Sequence, residues 1–365
     1  MLARIIRFFR SATFLWGAAS GLIFLFFFYD HLGSIDPAKY AYRDDGVITL
    51  SHAKNLIDHG HIGVEPSGHR LEGFSAPGQF WIYTVVYGLT RLHWLDFGNF
   101  QTIFCTFLLG FFFIQFFRGR YFTGLLLAAA AAWFMTWHHR FLEWHASGME
   151  NPWTHLFFFV GIYCLGWMLQ RGEIRRWWVL WLFLATISRT ESVFHIAPLL
   201  VVFAGLYRSQ HRSWRGLHFA LFVGLAWGLY QAWRTWYFGS FFPNTGLAQN
   251  IHVGDNLQRL LAGDPAHLQL TTQWSRQLFR WHGGWFLLPL AVALPFLKQR
   301  ERWIWPVLTL FSLALTAFMN PVVFGMTRLD IARSTTFLVP VVALGLALGI
   351  AHLCLLYTSP SPRDS

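Results

Sequence analysis

The sequence has few charged residues and few cysteines. Only 12% of its 365 residues are charged, against about a quarter in average soluble proteins, while 55% are hydrophobic and 19% aromatic. The three cysteines, Cys105, Cys164 and Cys354, offer neither a disulfide framework nor the paired spacing of a zinc site. The scarcity of charge excludes an ordinary water-soluble domain, and cysteine chemistry is not expected to carry the function.

Long apolar runs take the place of the missing charges. A helix needs about 20 residues to cross the hydrocarbon core of a bilayer. The runs that approach this length are 14–29, 100–117, 121–137, 153–169, 217–233, 303–318 and 336–353. We therefore expect an all-α polytopic membrane protein, with residues 1–353 forming one transmembrane domain of about 9–11 membrane segments once shorter candidates are included.

Basic residues indicate how the chain crosses the membrane. The formal charge of +11 lies in short clusters between apolar runs, which is typical of cytoplasmic loops and not of a nucleic-acid-binding surface. These clusters lie at 4–10, 171–176, 208–215 and 298–302. With all of them in the cytoplasm, the N-terminus is inside, and we expect residues 11–29 to be a retained signal anchor and 30–78 the first extracytoplasmic loop of a multi-pass inner (plasma) membrane protein.

The number of crossings between Arg10 and Arg171 must be even if both lie inside. The candidates number five, namely 11–29, 79–94, 97–117, 121–137 and 153–170. We expect 79–94, the shortest, not to cross. If Arg118 and Arg120 lie outside the cytoplasm, the number of membrane crossings also changes.

The last twelve residues, 354–365, read CLLYTSPSPRDS and break the apolar pattern of the preceding run. They resemble translated read-through of a sequencing adapter, so we expect them to be non-native and the natural chain to continue beyond about residue 353. A natural tail rich in serine and proline is the alternative.

Acidic residues are concentrated in the loop 30–78, which holds seven of the 17 carboxylates. Asp44 and Asp45 precede a segment with helical apolar spacing that ends at Gly60, so the pair is expected at the start of a helix on the membrane surface. One carboxylate there can be a simple N-cap. Two exceed that need, and a carboxylate beside an acceptor hydroxyl can serve as general base.

Further polar residues interrupt the apolar pattern. Glu72 lies in a turn region, where a salt bridge with Arg70 is the alternative to a functional role, and Glu150 precedes a span, where the helix dipole favours a carboxylate. Arg189 and Glu191 fall at an expected hairpin between two apolar limbs. They either pair with each other, or Arg189 binds a phosphate.

The remaining candidates are weaker by themselves. Asn244 follows Pro243 in a turn signal and could donate to a sugar or phosphate. Arg333 precedes the last span, where interfacial arginines commonly snorkel to the membrane surface. Scattered histidines, namely His59, His61 and His69, could join the acids in a metal site, an alternative that we do not predict.

These motifs, in their order, resemble the C-type (GT-C) membrane glycosyltransferases that use polyprenyl-phosphate sugars, and most closely the actinobacterial terminal arabinofuranosyltransferase branch. The matching segments are Asp44-Asp45 with the helix to Asn55-Leu56, Glu72-Gly73-Phe74-Ser75 with Pro77, Ser147-Gly148-Met149-Glu150, Arg189-x-Glu191, Pro243-Asn244-Thr245, and Arg333 before Phe337-Leu338-Val339-Pro340. The resemblance covers nearly the whole chain to residue 353.

The resemblance implies a GT-C type helical bundle whose large first extracytoplasmic loop contains surface helices. It also implies inverting transfer of a sugar from a polyprenyl-phosphate donor to a glycan, lipid or protein acceptor of the cell envelope, without a cofactor. Asp44 and Asp45 would be catalytic; the expected substrate-binding residues are Asn55, Glu72, Glu150, Arg189, Glu191, Asn244 and Arg333. A transporter or flippase, with charges lining a path through the membrane, and a non-enzymatic scaffold are the alternatives.

Overall fold

The structure is a computed structural model that describes residues 12–34, 44–63, 70–117, 119–241, 253–282 and 335–358, with residues 311, 312, 314–316, 318, 322 and 333. Within these residues the chain is helical and forms no strand. Its helices are α1 (Ala12–Leu32), α2 (Asp44–His59), α3 (Pro77–Thr90), α4 (Trp94–Phe113), α5 (Tyr121–Trp137), α6 (His139–His145), α7 (Asn151–Arg171), α8 (Val179–Ile187), α9 (Ser192–His211), α10 (Arg215–Phe238), α11 (Val253–Leu261), α12 (Pro265–His282) and α13 (Leu338–Thr358).

Four segments in the described part of the chain are long and apolar enough to cross a membrane: Ala12–Leu32, Trp94–Phe117, Asn151–Arg171 and Ser192–His211. Shorter apolar helices cover Tyr121–Trp137, Arg176–Ile187 and Leu338–Ala351. The expectation of a helical chain with several helices able to cross a membrane is therefore confirmed for the described residues. The expected number of segments and their orientation stay predictions, and most of the expected span 303–318 lies outside the described residues.

Helix α3 has only 14 residues. At about 1.5 Å per residue it is roughly 21 Å long, shorter than the ~30 Å hydrocarbon core. That residues 79–94 do not cross the membrane stays a prediction.

Small residues bring α1 and α4 into close contact. The Ser20 hydroxyl donates a hydrogen bond to the Gly110 carbonyl across the two helices at 2.7 Å. A Cβ atom on Gly110 would lie 2.6 Å from the Ser20 carbonyl oxygen, so only glycine fits there. Close backbone approach of this kind is how helices associate in lipid, where apolar side chains give no hydrophobic driving force.

The expected hairpin between two apolar limbs is present. A short 3₁₀ turn, Arg176–Trp178, leads into α8, the chain turns at 188–191, and α9 returns. The turn packs on the start of α3, because Thr190 N–H donates to the Ser75 carbonyl at 3.0 Å and a Cβ on Gly78 would lie 3.0 Å from the Ser188 Cα. Two motif segments that are more than 100 residues apart in the sequence thus meet.

The predicted helix after the Asp44-Asp45 pair is also present as α2. It buries Leu50 and Ala53 in the main core and packs against α3. Its end is the predicted one, since Gly60 adopts φ 77° and its N–H donates to the Leu56 carbonyl at 3.0 Å.

Helix α13 continues to Thr358 and so includes the first residues of the segment 354–365. The remainder of that segment lies outside the described residues, and its proposed adapter origin stays a prediction.

Candidate functional site

The turn between α6 and α7 is held by two buried glutamines. Gln79 Nε2 donates to the Gly148 carbonyl at 3.0 Å, and Gln101 Nε2 donates to the Met149 carbonyl at 2.8 Å. The two side chains are joined by a third hydrogen bond, from Gln79 Nε2 to Gln101 Oε1 at 3.1 Å. Because both glutamines are fully buried, the turn has a fixed position, and it places Glu150 at the N-terminus of α7.

Glu150 accepts hydrogen bonds from two guanidinium groups. Arg189 Nη1 donates to Glu150 Oε1, and Arg333 Nη2 lies 3.1 Å from Oε1 and 3.4 Å from Oε2. Burial by itself would raise the pKa of Glu150, but the positive charges of Arg333 and Arg189 outweigh it and hold that pKa at about 2. Glu150 is therefore ionised although it is almost completely buried.

Arg189 also pairs with Glu191, as its Nε donates to Glu191 Oε1. Burial opposes the charge of Arg189, whereas Glu191 and Glu150 favour it, and the net effect is a pKa raised above the ordinary arginine value. The proposed internal pair of Arg189 and Glu191 is thus present, but Arg189 connects it to a third residue from a distant segment.

Asp45 reaches the same cluster from α2. Arg333 Nη1 donates to Asp45 Oδ2 at 2.6 Å. The approach of α2 depends on Gly46, because a Cβ there would lie 2.9 Å from the Gly148 carbonyl oxygen. We call Asp45, Glu150, Arg189, Glu191 and Arg333 the ion network.

The ion network is buried on one side and exposed on the other. The side chain of Asp45 is 43% exposed, against 9% for Arg333 and 2% for Glu150. Its three carboxylates face two guanidinium groups, which leaves one negative charge in excess. Asp45, as the most exposed carboxylate, is the one best placed to leave its arginine and act on a ligand.

A buried chain of histidines supports the backbone of Arg333. Thr106, His145, His155 and Thr336 are linked in that order by side-chain contacts of 3.0, 2.7 and 2.9 Å. Burial lowers the pKa of His145 to about 3, so this imidazole is neutral and one ring donates to the other. Thr336 in turn donates to the Arg333 carbonyl at 3.3 Å, which holds Arg333 against α7.

Glu72 forms a separate pair with Arg234 of α10. Arg234 Nε donates to Glu72 Oε1 at 2.7 Å, Nη2 donates to Oε2, and both side chains are about 1–2% exposed. The suggested pairing with Arg70 is wrong, because the Arg70 guanidinium lies over the Tyr237 ring at 4.6 Å. Burial raises the pKa of Glu72, and Arg234 offsets part of that rise.

His52 ties the Glu72 segment to α2. Its Nδ1 lies 2.7 Å from the Ile48 carbonyl, and its Nε2 accepts the Gly73 N–H at 3.2 Å. Burial lowers the pKa of His52, in agreement with a neutral ring that accepts at Nε2. Glu72 is thus held by Arg234 and by the anchored Gly73, and it is not a member of the ion network.

Not every predicted site residue joins the ion network. Asn55 donates through Nδ2 to the Gly63 carbonyl at 2.7 Å and so stabilises the turn after α2. Asn244 and the Asp44 side chain lie outside the described residues. Among the residues that the structure describes, no group of three or more histidine, cysteine or acidic side chains could hold a metal ion.

Sequence reasoning missed several residues that surround these sites. Arg234, His155 and His195 are ionisable side chains within apolar helices, and an ionisable residue in such a position is functional by default. Asn151 directly follows Glu150 and could have been included with it. The polar residues themselves were visible in the sequence, but the side chains with which they pair were not.

Comparison of the chain with models of known protein families, with curated proteins and with solved structures gives no match.

Proposed function

We propose that the protein is a membrane glycosyltransferase that transfers a sugar, with inversion, from a polyprenyl-phosphate donor to a glycan, lipid or protein acceptor on the extracytoplasmic face, and that its helices form a GT-C type bundle. The observation that supports this most is the ion network. It joins five of the nine candidate residues, from four separate segments of the sequence, by direct hydrogen bonds.

The two sides of such a reaction need opposite charges, and the ion network supplies both. Asp45 accepts the proton of the acceptor hydroxyl as that oxygen forms a bond with the anomeric carbon. The bond from this carbon to the phosphate oxygen breaks, and its electron pair leaves on the polyprenyl phosphate. Arg333 and Arg189 stabilise the leaving phosphate, since guanidinium groups bind phosphate oxygens in a bidentate manner.

Because Asp45 and Arg333 form an ion pair, the donor phosphate has to bind before Asp45 can act as the base. While Arg333 Nη1 holds Asp45 Oδ2, that oxygen is occupied by the guanidinium group and does not face the acceptor hydroxyl. A phosphate that binds Arg333 displaces Asp45, which then faces the acceptor. The Glu150 carboxylate keeps the guanidinium group in place during the exchange.

The test is transfer by the full chain, purified in detergent, from radiolabelled polyprenyl-phosphate arabinofuranose, mannose, glucose and galactose to a cell-envelope extract. Asp45→Asn should lower the rate by about 10²-fold or more, because general base catalysis contributes about that much. Asp58→Asn is the matched control, since Asp58 also starts from an ion pair but lies at the other end of α2. Asp44→Asn examines the second candidate base.

Two results would refute the proposal. If no labelled donor is consumed while the protein in proteoliposomes moves the donor between leaflets, the protein is a flippase. If Asp44→Asn and Asp45→Asn both retain full transfer, the carboxylate pair is not the base.

A further inference from the structure

A small pocket lies beside the ion network between α7, α9 and the start of α13. Its lining includes Asn151, His195 and Phe337 together with Arg189, Glu191 and Arg333 of the ion network, and it has room for about one water-sized group. Arg333 takes part in both features. Its Nη1 and Nη2 atoms bind the carboxylates of the ion network, so Nε is the donor that remains for a ligand in the pocket.

Three polar atoms of this lining are buried and have no hydrogen-bond partner among the described residues: Asn151 Oδ1, His195 Nδ1 and Arg333 Nε. The residues are only 1%, 5% and 9% exposed, respectively. A buried polar atom without a partner destabilises the folded protein, because it has lost its hydrogen bonds to water. Three residues that line one pocket each have such an atom, and a single bound ligand can supply the missing hydrogen bonds.

The hydrogen-bonding roles of two of these atoms, Asn151 Oδ1 and Arg333 Nε, are fixed, and that of His195 Nδ1 depends on the tautomer of its ring. Asn151 Nδ2 donates to the Arg333 carbonyl at 3.2 Å, which orients the amide so that Oδ1 is the atom left over, an acceptor only. Arg333 Nε–H is a donor only. The His195 ring packs on Phe337 with its centroid 5.4 Å away, and its Nδ1 donates in the tautomer that carries the proton on this nitrogen.

These roles select a hydroxyl group. A phosphate or carboxylate oxygen has no hydrogen for Asn151 Oδ1, and an ammonium group has no lone pair for Arg333 Nε. A hydroxyl group has one hydrogen for Asn151 Oδ1 and two lone pairs, one for Arg333 Nε–H and one for His195 Nδ1–H. It is also about the size of the pocket.

We propose that this pocket binds one hydroxyl group of the sugar that is transferred, and that Asn151, His195 and the Nε side of Arg333 form a subsite for recognising it. This inference rests on the proposed function and names the part of the donor that the site recognises. A bound hydroxyl here places the sugar beside the guanidinium group that holds the phosphate, so recognition of the sugar and of the leaving group share one residue.

Equilibrium binding of donors to the purified full chain tests the subsite independently of transfer. The probes are the four polyprenyl-phosphate sugars named above and the monodeoxy analogues of whichever sugar binds. Removal of one particular hydroxyl should weaken binding at least about tenfold, because it leaves buried polar groups unpaired, whereas removal of the others should matter less.

His195→Phe should abolish that preference and bind the parent and the critical deoxy donor within about twofold of each other, since the ring is retained without Nδ1. His195→Asn should keep part of the preference, because an asparagine side chain places a polar atom near the position of Nδ1. His218→Phe, which changes an exposed histidine of α10, is the control and should keep the full preference.

The outcomes separate this inference from the function on which it rests. Equal binding of all monodeoxy donors, or an unchanged preference in His195→Phe, overturns the subsite even if transfer occurs. A donor that binds with the hydroxyl preference but is never transferred overturns the glycosyltransferase and leaves the subsite standing. If none of the parent donors binds, both are wrong.

Discussion

Two buried groups of charged residues in the described part of the chain are built differently. Glu72 and Arg234 form a closed pair, in which one carboxylate meets one guanidinium group through two parallel hydrogen bonds and almost nothing is exposed. The ion network has three carboxylates for two guanidinium groups. One of its members, Asp45, reaches solvent, and Arg333 keeps a buried Nε without a partner in the described part of the chain.

The difference separates a structural contact from a site. A closed buried pair of equal charges is nearly complete by itself, and replacing such a pair by apolar residues is often neutral for stability. In the ion network one carboxylate is in excess and one guanidinium N–H has no partner among the described residues, so a ligand can bind there and change which side chains pair. We therefore expect variants of the closed pair to affect folding alone, and variants of the ion network to affect binding and transfer whatever they do to folding.

The largest expected effect is that of Arg333→Lys on transfer. A lysine keeps the charge but cannot contact Asp45, Glu150 and a phosphate at once, because it lacks the planar fork of guanidinium. The rate of transfer should fall about 10²-fold or more, with donor binding weakened as well, while the apparent unfolding temperature in detergent changes little.

The matched variant is Arg234→Lys. It makes the same substitution in the closed pair, and the transfer rate per folded molecule should stay within a few-fold of wild type. If Arg234→Lys lowers transfer as much as Arg333→Lys does, the closed pair belongs to the site and the comparison fails.

The next effect is on stability. Arg234→Met removes one partner of the closed pair and leaves Glu72 buried without its cation, which should cost about 3–5 kcal/mol. The double variant Glu72→Leu/Arg234→Met removes both charges and should recover most of that loss. Thermal unfolding in detergent measures both variants, and a double variant no more stable than Arg234→Met would show that the pair is not the source of the effect.

The two groups should also respond to pH with opposite signs. The pKa of Glu150 is held at about 2, below its ordinary 4.5, so its ionised form stabilises the fold above pH 4.5 and this contribution is lost as the pH falls towards 2. The stability of wild type relative to Glu150→Gln should therefore fall over that range, by at most about 3 kcal/mol.

Burial raises the pKa of Glu72 above its ordinary value, so protonation of Glu72 stabilises the folded protein relative to the unfolded one. Wild type should therefore gain stability relative to Glu72→Gln as the pH falls through that raised pKa. Apparent unfolding temperatures of the three proteins measured between pH 3 and 7 give both slopes, with Glu173→Gln, a change of an exposed residue, as control. If the stability of wild type relative to each variant changes with pH in the same direction, the predicted difference between the ion network and the closed pair is wrong.

The sequence predicted some of these features and not others, for physical reasons. The membrane helices, the hairpin at 188–191, and the start and end of α2 follow from local signals: apolar length, an interrupted run, and a glycine stop. The sequence also singled out Asp45, Glu150, Arg189 and Glu191 as candidates, because charges in so apolar a chain are conspicuous.

The partners of these residues could not be predicted, since they depend on how distant helices pack. Nothing local relates Glu72 to Arg234, which lies 162 positions away, and the nearby Arg70 was a reasonable but wrong choice. The contact of Asp45 with Arg333 requires the close approach at Gly46, and a glycine in a helix does not by itself reveal which backbone it faces. Local patterns give the elements, whereas pairing requires the tertiary fold.

The smallest expected effect concerns a third group of charges, on the surface. Lys54 and Arg91 lie 2.7 and 2.6 Å from the carboxylate of Asp58, distances as short as that between Arg333 and Asp45. Their side chains are 51% and 60% exposed, so water screens the pairs and competes for them. Asp58→Asn should shift the apparent unfolding temperature by less than about 2 °C and leave transfer unchanged. A large loss in either measurement would mean that short distance, and not burial or unpaired donors, distinguishes the important charges of this protein.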